Sequence, residues 1–162
     1  MVKSGENNQR GIKTNMFRGR FHYRIDAKGR LSVPSKFREI LSSHYTDERL
    51  IITNFDQCLW AYPLLEWQEL EKKVSNLPQF LDEVISLQRV FISAATECPV
   101  DKQGRILIPS SLREYAAIDN DVVIVGMTKR IEIWAKERWT TVFEEAQKKL
   151  EGLGNKLADL GL

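Results

Sequence analysis

Residues 26–39 read Asp-Ala-Lys-Gly-Arg-Leu-Ser-Val-Pro-Ser-Lys-Phe-Arg-Glu, and residues 101–114 read Asp-Lys-Gln-Gly-Arg-Ile-Leu-Ile-Pro-Ser-Ser-Leu-Arg-Glu. Seven of the fourteen aligned positions are identical, and the apolar positions 31, 33 and 37 stay apolar at 106, 108 and 112. The copies lie 75 residues apart. Solenoid periods run to roughly 20–50 residues, so this spacing marks a duplicated small domain rather than a solenoid unit. A half of this size buries too little surface to be robust alone. The two halves are therefore expected to share a core or to lean on an oligomer.

Outward from the motif, the elements repeat in order. Phe21, Tyr23 and Ile25 alternate with His22 and Arg24, a period-two strand pattern. Asp26-Ala-Lys-Gly29 supplies turn chemistry: Asp hydrogen-bonds nearby backbone, and Gly tolerates positive φ. The strand resumes at Leu31-Ser-Val33, Pro34 ends it, and a short helix is expected over 35–41. A second hairpin follows, with strands over 50–53 and 58–62, then a helix from Pro63 to about Ser75. A further helix is expected over 79–94, with Phe80, Val84, Leu87 and Phe91 on one stripe. The second copy gives a strand over 96–100, the turn at 101–104, a strand over 105–108, and a short helix over 110–116. A hairpin of 122–125 with 131–134 and a helix over 136–151 complete it. On this reading Trp60 aligns with Trp134, and Trp67 falls close to Trp139.

The net charge of +2 conceals an asymmetry. Residues 1–30 hold eight Lys or Arg against Glu6 and Asp26, a local charge of +6 that leaves −4 for the remainder. A polyanionic partner and a merely solvated basic tail both fit that pattern. No run approaches the roughly 18 apolar residues of a membrane span, and the polar start lacks a secretory signal. Cys58 and Cys98 form no CxxC pair, so neither a disulfide framework nor a zinc site is expected. A cytoplasmic location follows as the default.

No catalytic constellation is legible. His22 and His44 fall in a strand and after the first short helix, without a partner Ser, Cys or metal-ligand spacing. Glu66, Glu69 and Glu71 read as a solvated helix face, and neither GxGxxG nor GxxxxGK[ST] occurs. The expectation is a non-enzyme with no cofactor, no metal and no small-molecule substrate. Turn geometry and packing account for the shared Asp, Gly, Pro and apolar positions. Arg30 and Arg105, each following a turn glycine, have no such explanation. Asp26 and Asp101 can orient them by charge-assisted hydrogen bonds, and a guanidinium held at a loop tip reads guanine edges or phosphates. An intraloop salt bridge that only stiffens the turn is the competing reading.

Asp-x-Lys-Gly-Arg-Leu-Ser-Val-Pro, preceded by Met16-Phe-Arg-Gly19, resembles the first signature of the MraZ family of bacterial transcriptional regulators. Asp101-Lys-Gln-Gly-Arg-Ile-Leu-Ile-Pro109 resembles its second DxxxR motif, and the likeness covers about residues 16–150. The resemblance implies an α+β fold of two tandem AbrB-like swapped-hairpin (double-split β-barrel) modules with flanking helices. Residues 1–15 exceed the usual family start, and their polar composition with few apolar anchors reads as a disordered extension. The implied layout is modules over 16–78 and 96–151, a connecting helix over 79–95, and a tail over 152–162. It further implies a ring-shaped homo-oligomer, nucleoid-associated, that binds double-stranded DNA at repeated promoter boxes upstream of the division and cell-wall gene cluster. DNA contact then transfers to Arg30 and Arg105, supported by Asp26 and Asp101, with Lys28 matching the family's lysine. The second loop has Gln103 at that place and Lys102 one position earlier. The first loop is therefore expected to be the stronger reader, favoured by the basic segment before it. An AbrB-like module used for protein partnership or as an antitoxin-type binder is the alternative, because one fold hosts several uses.

Overall fold

The computed structural model describes residues 15–162. The extension expected over residues 1–15 lies outside the described residues except for Asn15, whose side-chain amide is 3.3 Å from His44 Nε2. The first repeat forms β1 (Arg20–Arg24), β2 (Arg30–Ser32), α1 (Ser35–Ile40), β3 (Arg49–Phe55), β4 (Cys58–Pro63) and α2 (Leu64–Ser75). Helix α3 (Asp82–Leu87) connects it to β5 (Thr96–Pro99), β6 (Arg105–Leu107), α4 (Ser110–Tyr115), β7 (Asp121–Met127), β8 (Arg130–Ala135) and α5 (Lys136–Glu151). A short α6 (Gly154–Asp159) ends the chain.

The strands exchange partners between repeats. One antiparallel sheet runs β1-β7-β8-β4-β3-β5, so the first repeat's opening strand adds to the second repeat's hairpin and β5 adds to the first repeat's hairpin. β2 and β6 pair only with each other, as a separate two-stranded ribbon. The expected barrel is not closed: the fold is a mixed α+β arrangement around an open antiparallel sheet. The ribbon strands are three residues long, and Pro34 and Pro109 carry no N–H with which to extend either ladder.

Both sheet faces are covered, which is why the central strands carry runs such as Val122-Val-Ile-Val125 rather than strict alternation. On one face Leu50, Ile52, Leu59, Ile124 and Ile133 pack against Leu31 and Ile106 of the ribbon, Phe37 of α1 and Leu112 of α4. On the other face α2 closes over Ile51 and Tyr62 through Trp67, and so does a π-helical turn that extends α3, Gln88–Ile92, through Phe91. Trp139 and Val142 of α5 cover Cys58, Val123, Val125 and Trp134.

Three sequence expectations are corrected. The connecting helix starts at Asp82, not near 79, and Phe80 is 96% exposed rather than part of the stripe. Gln79 is the cause: its side-chain amide donates to the carbonyls of Val74 and Leu77, finishing α2 and holding Phe80 outside. The repeat offset also changes along the chain. A π-helical turn, Leu41–Tyr45, extends α1 and has no counterpart after α4, so the later elements stand 72 residues apart rather than 75. Trp60 therefore corresponds to Glu132, Tyr62 to Trp134 and Trp67 to Trp139, and His44 sits in that turn rather than in a loop.

Candidate nucleic-acid interface

Each DxxxR loop is built by its own aspartate. Asp26 Oδ1 accepts the backbone N–H groups of Lys28 (3.0 Å) and Arg30 (2.9 Å), and Oδ2 accepts Arg30 Nε–H at 2.6 Å. Asp101 repeats the pattern, accepting from Gln103 N (2.8 Å), Arg105 N (2.9 Å) and Arg105 Nε (3.3 Å). These bonds favour the charged carboxylate, so both carboxyls are held below their ordinary value, chiefly by the arginine's backbone N–H. The aspartate thus folds the turn and aims the guanidinium at once.

The loops are also locked across repeats. Ile108 N donates to Gly29 O at 2.8 Å and Val33 N to Gly104 O at 2.9 Å. Gly29 and Gly104 take φ of +87° and +77°, and a Cβ at either would meet a guanidinium from the opposite repeat. Arg113 lies against Gly29 and Arg38 against Gly104, each with its Nε donating to a carbonyl of its own repeat, Ile108 (3.1 Å) and Val33 (3.2 Å). Arg38 and Arg113 belong to the candidate site by these contacts, and sequence reasoning missed them. The signal was present, since both are identical between the copies, but their role depends on contacts made across the repeats.

The register sets the geometry of the arginines. Arg30 stands opposite Leu107, Leu31 opposite Ile106 and Ser32 opposite Arg105. Leu31 and Ile106 point into the core, so Arg30, Ser32, Arg105 and Leu107 share the outward face. Arg30 and Arg105 are diagonal neighbours there, about 7–8 Å apart across the two strands, with side chains 36% and 29% exposed. Two equivalent pairs, Leu31 with Ile106 and Trp60 with Glu132, face each other directly, so a local two-fold axis runs through ribbon and sheet. Lys28 and Lys102 are exposed at the loop tips on either side.

Of the basic segment before the first loop, Arg20 and Arg24 do not join this surface, while Lys3, Arg10 and Lys13 lie outside the described residues. Phe21 and Tyr23 pack on the ribbon side of the sheet, which turns Arg20, His22 and Arg24 to the α5 side. There Arg20 lies 4.8 Å from the centroid of Phe143, and Arg24 pairs with Asp121 at 3.8 Å. Among the described residues no three His, Cys, Asp or Glu side chains group to hold a metal ion, and no helix is long and apolar enough to cross a membrane.

A duplicated α+β protein with two aspartate-built arginine loops paired on one ribbon is the class this architecture defines. The profile described as "MraZ protein, putative antitoxin-like" matches residues 16–89 and again 91–156, and the chain belongs to the MraZ family. It is 47% identical over 146 residues to the "Transcriptional regulator MraZ" of Desulforamulus reducens, covering 90% of this chain and 99% of that one. Proteins of the same description from Natranaerobius thermophilus and Moorella thermoacetica are 40% and 42% identical over 147 residues, covering 91% of this chain and 100% of each relative.

Proposed function

We propose that the protein is a cytoplasmic, nucleoid-associated transcriptional regulator that grips double-stranded DNA with the β2–β6 ribbon. The observation that carries this reading is the placement of Arg30 and Arg105 on one exposed face, each aimed by its own aspartate. A B-DNA major groove about 12 Å wide admits a two-stranded ribbon. A guanidinium offers a fork of donors that matches the N7 and O6 edge of guanine or a phosphate. Lys28 and Lys102 flank the ribbon as phosphate contacts, and Arg38 and Arg113 brace the loops from beneath.

One ribbon with two to four cations binds weakly and with steep salt dependence. Repeated promoter boxes read by a homo-oligomeric ring overcome that weakness through effective concentration. The strand exchange between repeats supports reading the two modules as an internally swapped hairpin pair, each chain supplying one complete ribbon. Exposed Leu77, Phe80 and Leu81 at the α2–α3 corner support self-association.

The test is an Arg30→Ala/Arg105→Ala double variant on DNA from upstream of the division and cell-wall gene cluster. Specific binding is expected to vanish while the oligomer, measured by light scattering, is unchanged. Each single variant is expected to lose about 5- to 150-fold, the worth of one arginine–base contact. Unchanged affinity of the double variant refutes the assignment. Loss of the oligomer instead leaves the arginines as turn braces, as a protein-partnership module would have them.

A further inference from the structure

Leu107 stands out on the ribbon's outward face. It is 59% exposed, a large apolar side chain set between the two arginines and not needed by the core. The other three residues of that face are Arg30, Arg105 and Ser32, all polar. Under the local two-fold axis Arg30 maps to Arg105, but Leu107 maps to Ser32. The pair at 32 and 107 is therefore where the reading face departs from its own symmetry. Among the described residues Leu107 joins none of the three hydrophobic clusters, whereas the major groove offers one apolar feature, the C5-methyl of thymine.

Resting on the DNA reading above, we infer that Leu107 is a specificity-determining residue that packs on a thymine methyl beside the bases or phosphates held by the arginines. Ser32, at the related position, presents a hydroxyl that pairs with either a donor or an acceptor on a base edge. The consequence is polarity. Two arginines alone would read a near-palindromic box equally in both orientations. The leucine end prefers a thymine and the serine end does not, so each chain sits on its box in one direction.

The experiment removes only the methyl. In the duplex that the full-length protein protects, each thymine is replaced in turn by deoxyuridine at the same place in every repeat. Binding is measured by fluorescence anisotropy at one fixed salt concentration. One thymine per box is expected to matter, its replacement weakening wild-type binding about fourfold for each box engaged, the worth of one buried methyl group. Leu107→Ser is expected to bind the thymine duplex about as weakly as wild type binds the uracil one, and to ignore the replacement. The reciprocal Ser32→Leu variant is expected to acquire sensitivity to a thymine at the position related by the two-fold axis. Wild-type indifference to every replacement overturns the inference while leaving the arginine reading intact. So does Leu107→Ser retaining the full methyl effect. Equal wild-type binding to the protected duplex and to a scrambled one overturns both.

Discussion

Gly29→Ala tests whether the two loops are truly one assembly. Gly29 sits at φ +87°, and an added Cβ would lie 2.8 Å from the Ile108 carbonyl oxygen and 2.9 Å from Arg113 Nε. Holding a non-glycine residue at positive φ costs roughly 1–2 kcal/mol. Relieving the contact moves the Ile108 backbone, which also donates to Gly29 O at 2.8 Å, and losing that bond costs about 0.5–1.5 kcal/mol. Together they amount to about 1.5–3.5 kcal/mol. At about 2–4 °C per kcal/mol for a chain of this length, the melting temperature falls by about 3–14 °C. The assay is thermal unfolding followed by circular dichroism at one protein concentration, because self-association shifts the midpoint. Gly154→Ala serves as the control, since nothing lies within 4 Å of its added methyl, and it is expected to melt at or slightly above wild type. A Gly29→Ala protein melting with wild type refutes the cross-repeat lock. DNA binding should fall along with stability, because the same displacement unseats Arg113 and turns Arg30.

Three other outcomes follow from the same structure. Phe17, buried edge-on against Phe37 at 5.1 Å, should cost about 3–5 kcal/mol when replaced by alanine; a guanidinium denaturation midpoint within error of wild type would contradict its place in the core. Asp26 and Asp101 have carboxyls held below 3.8, so their anchoring is fully present above the ordinary carboxylate range and is lost as pH falls below it. Carboxyl carbon NMR should put both midpoints under 3.8 in wild type, and the loop amides of an Asp26→Asn/Asp101→Asn protein should lose the acid-induced shift. Burial pushes the Cys98 thiol up to about 11 and Cys58 higher still. Neither should be alkylated by iodoacetamide at pH 8 in the native protein, and both should react in denaturant; rapid native labelling of Cys58, read by intact mass, would contradict the seal of α5 over β4.

Much of the fold was legible because its signals are local. The strands at Phe21, Cys58 and Val122, and helices α2 and α5, follow from period and from the prolines and glycines that bound them. The loops were legible for the same reason: Asp26 finds its partners within four residues. Phe80 was misread because spacing alone placed it on the stripe, while the Gln79 amide, bonded back to Val74 of α2, ends that continuity. Trp60 and Trp134 were misaligned because aromatic identity matched across a three-residue difference that only the π-helical turn after α1 reveals. Arg38 and Arg113 were overlooked because each does its work on the other repeat's loop.

The sequence by itself determined the duplication, the turn chemistry and the arginine held by each turn, since these are short-range consequences of residue type and spacing. Only the tertiary structure decided which strands meet. An alternating or apolar strand fits many partners, and nothing within β1 or β5 says that each will join the other repeat's hairpin. The pairing of β2 with β6, and its register, likewise arises between segments 75 residues apart in sequence. That register puts two arginines, a serine and an exposed leucine on one face, because side chains alternate across a strand and a slip of one residue would have buried them.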